Sequence, residues 1–330
     1  MQFGYTEHCL EHDTGPRHPE TADRLQAIRE GLKQRYEVVY REPELSSREA
    51  IRQVHDPSYV QDVESFCRDG GGKWDADTIA SEATWEAALA AAGLAEWAAK
   101  TALEGASGRK TPFALGRPPG HHAVFDDAMG FCFFNNTAVA AESALESSAD
   151  SVAIIDWDVH HGNGTQDLFY DRNDVFYASI HEEGLYPGTG EANETGTGVG
   201  EGANLNVPLP SGVPDSGYLH VIEEVIVPAF DRFDPDLLLV SAGFDAHQQD
   251  PISRMHLSTE GYALLTDRLR RLGVPTGYVL EGGYGLETLA DGVAMVHETF
   301  DGRDPIVPDG DPNRDIVDLT ATLREEFGLD

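Results

Sequence analysis

Five short runs of apolar, largely β-branched and leucine residues recur along the chain, at 112–115, 152–155, 175–180, 236–241 and 276–280, and polar or glycine-rich chemistry comes directly after each one. Apolar runs of this length suit strands covered on both faces, and such strands belong to a parallel sheet with helices packed above and below. The segment 82–104, rich in Ala, Leu and Trp, is expected to form one long packing helix, with Trp85, Leu89 and Ala92 on one face and Glu86 and Glu96 off it. The stretch 187–203 reads as a polar, Gly-rich loop and 204–208 as extended chain. In open α/β sheets ligands bind beyond the carboxyl ends of the strands, so residues that directly succeed these runs are expected to converge on one site.

The residue types at those strand ends are specific. After the first run comes Arg117-Pro118-Pro119-Gly120-His121-His122, and after the second Asp156-Trp157-Asp158-Val159-His160-His161-Gly162. The third ends in Ser179-Ile180-His181, the fourth leads to Ser241-Ala242-Gly243-Phe244-Asp245, and the fifth to Glu281-Gly282-Gly283-Tyr284. On an extended strand Asp156, Asp158 and His160, two residues apart, project to one face, so Asp158 and His160 can share a cation. Asp245 from another strand end would complete an Asp/His/Asp set with a position left open for water. These donor types accept Zn²⁺, and Fe²⁺, Co²⁺ or Mn²⁺ as well. One of His121 and His122 can serve as a base toward water while a carboxylate holds the other. Tyr284, after two glycines that permit a tight turn, can direct its hydroxyl at a developing oxyanion. The single histidines His8, His12, His18, His55, His220, His247, His256 and His297 read as surface or core residues.

Charge and cysteine usage narrow the classes. The 330 residues carry 58 Asp plus Glu against 23 Lys plus Arg, a formal charge of −35. That balance excludes direct nucleic-acid binding by phosphate neutralisation. Acidity spread along the whole chain, with Lys confined to Lys33, Lys73, Lys100 and Lys110, fits a halophilic proteome better than steering of a cationic substrate. Cys9, Cys67 and Cys132 are odd in number and widely spaced, which argues against disulfides and a thiolate metal site. No basic region precedes an apolar leader, and no apolar run approaches a membrane span, so a soluble, cytoplasmic protein without a membrane partner is expected. No repeat or Ser/Pro-rich linker divides the chain. The expectation is one domain over 1–330, with an acidic Pro/Asp-rich extension from about 301 that leads to a short helix over 315–327. No feature of the sequence sets an oligomeric state. The Gly-rich 196–202 segment is no phosphate loop, since no strand leads into it, and no G-x-S-x-G nucleophile elbow occurs.

The motifs above, with Gly130-Phe131-Cys132, Asn163-Gly164-Thr165-Gln166 and Tyr186-Pro187-Gly188-Thr189-Gly190, stand in the order found in the zinc-dependent histone deacetylase superfamily, which the chain resembles from about Tyr5 to about His297. The superfamily includes acetylpolyamine amidohydrolases and acetoin-utilisation proteins. The resemblance implies an arginase/deacetylase α/β fold: a central parallel sheet, helices on both faces and an active site at the carboxyl ends of the strands. It implies zinc on Asp158, His160 and Asp245, His122 as the base toward water, His121 paired with Asp156, and Tyr284 holding the oxyanion. It also implies a channel lined by Phe131 and Tyr186 beside Gly130 and Ile252, with Asp77 at the rim. A structural potassium ion is implied on Asp156, Asp158, His160, Ser179 and Ile180. Asn163, where class I members have Asp, places the sequence nearer class II and makes the partner of His122 neutral. Tyr186 adds a hydroxyl where Phe is usual, and Ile252 stands where polyamine-preferring relatives carry Glu. The expected activity is hydrolysis of acetyl-lysine in proteins. The alternative is hydrolysis of acetylpolyamines or other small acetylamines, and a non-catalytic acetyl-lysine binder is a further reading.

Overall fold

The computed structural model describes residues 1–329. Eight strands form one sheet: β1 (Gln2–Gly4), β2 (Tyr40–Arg41), β3 (Pro112–Ala114), β4 (Val152–Asp156), β5 (Val175–Glu182), β6 (Asn204–Leu209), β7 (Leu237–Ala242) and β8 (Thr276–Leu280). Their order is β2-β1-β3-β8-β7-β4-β5-β6, and every pairing is parallel. All five anticipated strands are present, and they are adjacent in space as β3-β8-β7-β4-β5. The strand ends expected to carry the chemistry therefore line up along one edge.

The period-2 pleat divides each central strand between two cores. Ala153 and Ile155 of β4, with Leu238 and Val240 of β7, face a core closed by the helices Asp23–Arg35, Thr259–Arg270 and Leu286–Phe300. Val152 and Ile154, with Leu237 and Leu239, face a second core closed by Thr84–Leu103 and Asn136–Ser147. Truncating one such buried leucine to alanine costs about 2–5 kcal/mol.

Three strands of this sheet were not among the expected five, and neither was a separate antiparallel pair, Gly72–Lys73 with Ile79–Ala80. β1 and β2 have three and two residues, too few to show a period. β6 contains Pro208, which lacks a ladder N–H and is tolerated because β6 is an edge strand. The helix over Thr84–Leu103 also departs from the single-faced expectation: Ala87 to Ala95 are all buried, as are Ala98, Ala99 and Ala102. Small alanine side chains let its neighbours approach on most sides, and at Gly93 a Cβ would lie 2.4 Å from the Glu44 carbonyl. The helix Arg314–Phe327 buries Ile316, Thr320 and Leu323. The three cysteines are free and buried. No helix among the described residues is long and apolar enough to cross a membrane.

Candidate functional site

β4 ends at Asp156, and the chain then turns rather than continuing extended. The pleat argument for Asp156, Asp158 and His160 therefore fails in detail. Side-chain-to-backbone bonds gather these residues instead: Asp156 Oδ1 accepts from the Asp158 N–H at 3.1 Å, and Asp158 Oδ1 from the His160 N–H at 3.0 Å. Each carboxylate holds its own loop in a tight local turn.

Asp158, His160 and Asp245 have donor atoms that all lie within 4.8 Å of one another. His160 Nδ1 is 3.0 Å from Asp158 Oδ1 and 3.2 Å from Asp245 Oδ2. Backbone amides fix both carboxylates, since the Gly282 N–H donates to Asp158 Oδ2 at 2.8 Å and the Val159 N–H to Asp245 Oδ1 at 2.9 Å. A Cβ on Gly243 would lie 2.1 Å from Asp158 Oδ2, so only glycine admits the carboxylate there. Asp245 Oδ2 is buried and receives no hydrogen bond. Burial and the neighbouring Asp158 charge push Asp245 up to about 7. An orphaned buried oxygen beside a second carboxylate and an imidazole is a donor set that fits a divalent cation.

The paired histidines are split electrostatically. His121 Nδ1 lies 2.9 Å from Asp156 Oδ2. Burial opposes charge on this ring, but Asp156 and Asp158 outweigh it and raise its pKa to about 10. His122 moves the other way: burial, then the cationic His121 and His160, hold it well below its usual value. Its Nδ1 is 2.8 Å from Asn163 Oδ1, while Asn163 Nδ2 donates to the His122 carbonyl and the Met129 sulfur, both at 3.4 Å. That orientation of the amide puts the proton on Nδ1 and leaves Nε2 as the acceptor.

A narrow pocket of about 130 Å³ opens above these groups, lined by Asp77, His122, Gly130, Phe131, His160, Tyr186, Ile252 and Tyr284. Larger depressions of about 480 and 550 Å³ lie elsewhere on the surface, away from this chemistry. The Tyr186 ring stands perpendicular to His122 at 5.1 Å, and Phe131 is edge-on to Tyr284 at 5.9 Å. A Cβ on Gly130 would lie 2.4 Å from His122 Cδ2, so glycine is needed where the wall meets the ring. Behind the floor, strand register sets Ser179 beside Asp156, with Ile180 next along β5.

Several neighbours carry no sequence signal strong enough to have singled them out. Glu281 Oε2 accepts from the Gly120 and His121 N–H groups at 2.7 and 3.2 Å, and burial raises its pKa to about 7. Arg24 Nε donates to the Gly283 carbonyl at 2.7 Å, and its guanidinium lies 5.0 Å from the centre of the Tyr284 ring. Burial alone would raise Glu20, but Arg117, His12 and Arg24 bring it down to about 2. The Tyr177 hydroxyl donates to Asp156 Oδ2 at 3.2 Å. His18, read as an ordinary single histidine, packs edge-on against Phe131 at 4.6 Å, with Nε2 2.8 Å from the Asp77 carbonyl. Glu281 and Arg117 lie within motifs visible in the sequence, and Tyr177 within the third strand run. The others are distant along the chain, and only the fold brings them in.

A parallel α/β scaffold with a cation cradle, two unlike imidazoles and a phenol around a narrow channel carries the equipment of an amide hydrolase. The histone deacetylase domain matches residues 18–300, and the chain belongs to the histone deacetylase family. A probable deacetylase of Archaeoglobus fulgidus is 40% identical over 293 residues, covering 86% of this chain and 81% of that protein. The histone deacetylase-like amidohydrolase of Pseudomonas aeruginosa is 35% identical over 347 residues, covering 96% and 90%. The HD domain of HDA15 superposes with a TM-score of 0.93 at 35% identity, over 99% of this chain and 95% of that one. An acetylpolyamine aminohydrolase from Burkholderia pseudomallei gives 0.83 at 31%, over 92% and 99%.

Proposed function

We propose that this protein is a metal-dependent deacetylase that hydrolyses the acetamide of acetyl-lysine side chains in proteins. The observation that carries the reading is the narrow pocket whose base joins the Asp158, His160 and Asp245 cradle to a neutral His122 and to Tyr284. A divalent cation in that cradle, with Zn²⁺ first and Fe²⁺ or Co²⁺ compatible, would supply a Lewis acid for the acyl oxygen and lower the pKa of water.

The protein's own groups do the rest. His122 Nε2 takes a proton from the attacking water and returns it to the departing amine, so acetate and a free amine leave and the enzyme is restored. Cationic His121, held by Asp156, stabilises negative charge as it develops nearby. The Tyr284 hydroxyl donates to the oxyanion. Phe131 and Tyr186 flank the alkyl chain, Gly130 leaves room for it, Ile252 closes one wall, and Asp77 at the rim accepts from an N–H of the substrate. Asn163 keeps the His122 tautomer in place. A structural potassium ion would be held by Asp156, Asp158, His160, Ser179 and Ile180, a reading supported by Ser179 standing beside Asp156 across the strand pair. The whole chain over 1–330 is assigned to one catalytic domain working in the cytoplasm, with an acidic surface suited to high salt.

Small acetylated amines form the second reading, favoured by the carboxylates Asp75 and Asp77 near the mouth and by the likeness to the Burkholderia enzyme. The test compares kcat/KM for an acetyl-lysine peptide and acetylspermidine in molar KCl, with metal content measured on the same preparation. Faster peptide turnover is expected. Rapid polyamine turnover without peptide turnover reverses the order, and a metal-loaded protein that turns over neither is a binder rather than an enzyme.

A further inference from the structure

Asp250 lies outside the pocket and beyond every motif singled out in the sequence, yet one of its oxygens holds the backbone that carries Tyr284. Its side chain is buried. Oδ2 accepts from the Tyr284 N–H at 2.7 Å and from the Gly285 N–H at 2.9 Å, while Oδ1 accepts from the Ile252 N–H at 3.1 Å. From the other side, Arg24 Nε donates to the Gly283 carbonyl at 2.7 Å. The peptide units around Tyr284 are thus pinned by an anion on their N–H groups and a cation on a carbonyl. Gly283 has a φ of +116°, a conformation that needs such external fixing because glycine restrains itself least. Tyr284 and Ile252 both line the pocket, so two of its walls hang on the same carboxylate.

The geometry points to Asp250 as a positioning residue: it sets the aim of the Tyr284 hydroxyl and the placement of Ile252 against it, without touching substrate. This inference rests on the proposed role of Tyr284. A displacement of about 1 Å at a reacting group can cost on the order of 100-fold in rate. Loss of the two hydrogen bonds that the carboxylate accepts from Tyr284 and Gly285 gives the Tyr284 turn that freedom.

The test is a double-mutant cycle on the metal-loaded enzyme, combining Asp250→Ala with Tyr284→Phe. A trifluoroacetylated alkyl amine is the substrate, because its more electrophilic carbonyl leaves a measurable rate when the hydroxyl is gone. Asp250→Ala alone is expected to lower kcat on the order of 100-fold, with KM changing less than about 3-fold. In the Tyr284→Phe background the same substitution is expected to cost less than about 3-fold, since there is no hydroxyl left to misplace. Equal losses in both backgrounds would mean a merely structural role and overturn the proposal. Undiminished kcat in Tyr284→Phe alone removes the role of Tyr284 and the Asp250 proposal with it, an outcome visible in the single variant. Should Asp250→Ala not fold, Asp250→Asn carries the same cycle. Its one carboxamide oxygen still serves Tyr284 and Gly285 while its NH₂ opposes the Ile252 N–H, so it is expected to lie between the parent and Asp250→Ala. A full loss in both backgrounds overturns the proposal there too.

Discussion

The floor of the pocket and its mouth are built on different terms. At the floor, Asp156, Asp158, Asp245, His121 and His122 are all buried, and every one has a backbone amide or a partner side chain within hydrogen-bond distance. Glycines at 243 and 282 admit the carboxylates where any Cβ would collide. The mouth is assembled from four separate stretches that contribute Asp77, Phe131, Tyr186 and Ile252, and both Asp77 and Tyr186 are exposed. A site made this way keeps its chemistry constant while its selectivity can drift, because a loop residue at the rim changes without disturbing the packed strand ends.

The sharpest way to break that contrast is to attack the floor. Asp158→Ala removes a carboxylate of the proposed cation cradle, the partner of His160 and the acceptor of the Gly282 N–H together. We expect loss of bound metal and at least a ~10³-fold fall in kcat/KM, read by metal analysis beside the assay. A variant that loses its metal yet keeps its rate would place the chemistry elsewhere. Next in size is His122→Ala, expected to cost about 10²–10⁴-fold in kcat, with KM nearly unchanged. A large KM effect without a kcat effect would move His122 from proton transfer to binding.

The same contrast governs what was legible in the sequence. Floor residues were readable because each comes within seven positions of the end of an apolar run: the run at 152–155 announces Asp156, Asp158 and His160, and the run at 276–280 announces Tyr284. What misled was the local geometry, since a strand pleat would present Asp158 and His160 together and a pair of side-chain-capped turns does so instead. Of the mouth, Asp77, Phe131, Tyr186 and Ile252 came from resemblance rather than from spacing. His18 could not be read as part of it, because nothing within its own segment signals the contact with Phe131, more than a hundred positions away. Asp250 and Arg24 carry no such signal either: the groups they hold around Tyr284 are backbone N–H and C=O groups brought close by the fold, and sequence patterns record side chains.

A middle-sized effect tests how the mouth is hung on the core. His55 is fully buried, with Nδ1 2.8 Å from the Val124 carbonyl and Nε2 accepting from the Asn135 N–H at 2.9 Å. It thereby brackets the 124–135 segment that carries Gly130 and Phe131. Burial lowers its pKa to about 4, and protonation would set a second N–H against the Asn135 donor. The unfolded chain binds this proton near pH 6.5 and the folded one only near 4, so the stabilisation is complete above about 6.5 and lost progressively as pH falls to about 4. The contribution is on the order of 3 kcal/mol. In thermal unfolding from pH 7 to 4.5, His55→Gln is expected to start lower than the parent and to lose less across that window. Parallel curves would show that His55 does not supply the pH dependence.

The smallest expected effect lies at the rim, and there the acidity of the chain and the role of one carboxylate can be separated. Burial and the neighbouring Asp75 charge raise the pKa of Asp77, and Asp75 Oδ1 accepts from the Asp77 and Thr78 N–H groups at 2.9 and 2.6 Å, holding the turn in place. Asp77→Asn keeps the shape and removes one charge. A charge-assisted hydrogen bond to a substrate N–H is worth about 1.5–3 kcal/mol, so a roughly 10-fold rise in KM is expected, with kcat within about 2-fold. Salt then decides how the carboxylate acts. At ~1 M ionic strength the screening length is about 3 Å, so an effect carried by the general field of a −35 chain fades between 0.2 and 2 M KCl, whereas a hydrogen bond made in contact survives. A KM ratio that stays constant across that range makes Asp77 a contact to the substrate. A ratio that collapses toward one makes it only part of the surface charge, and a fall in kcat at unchanged KM would assign it to the floor's chemistry instead.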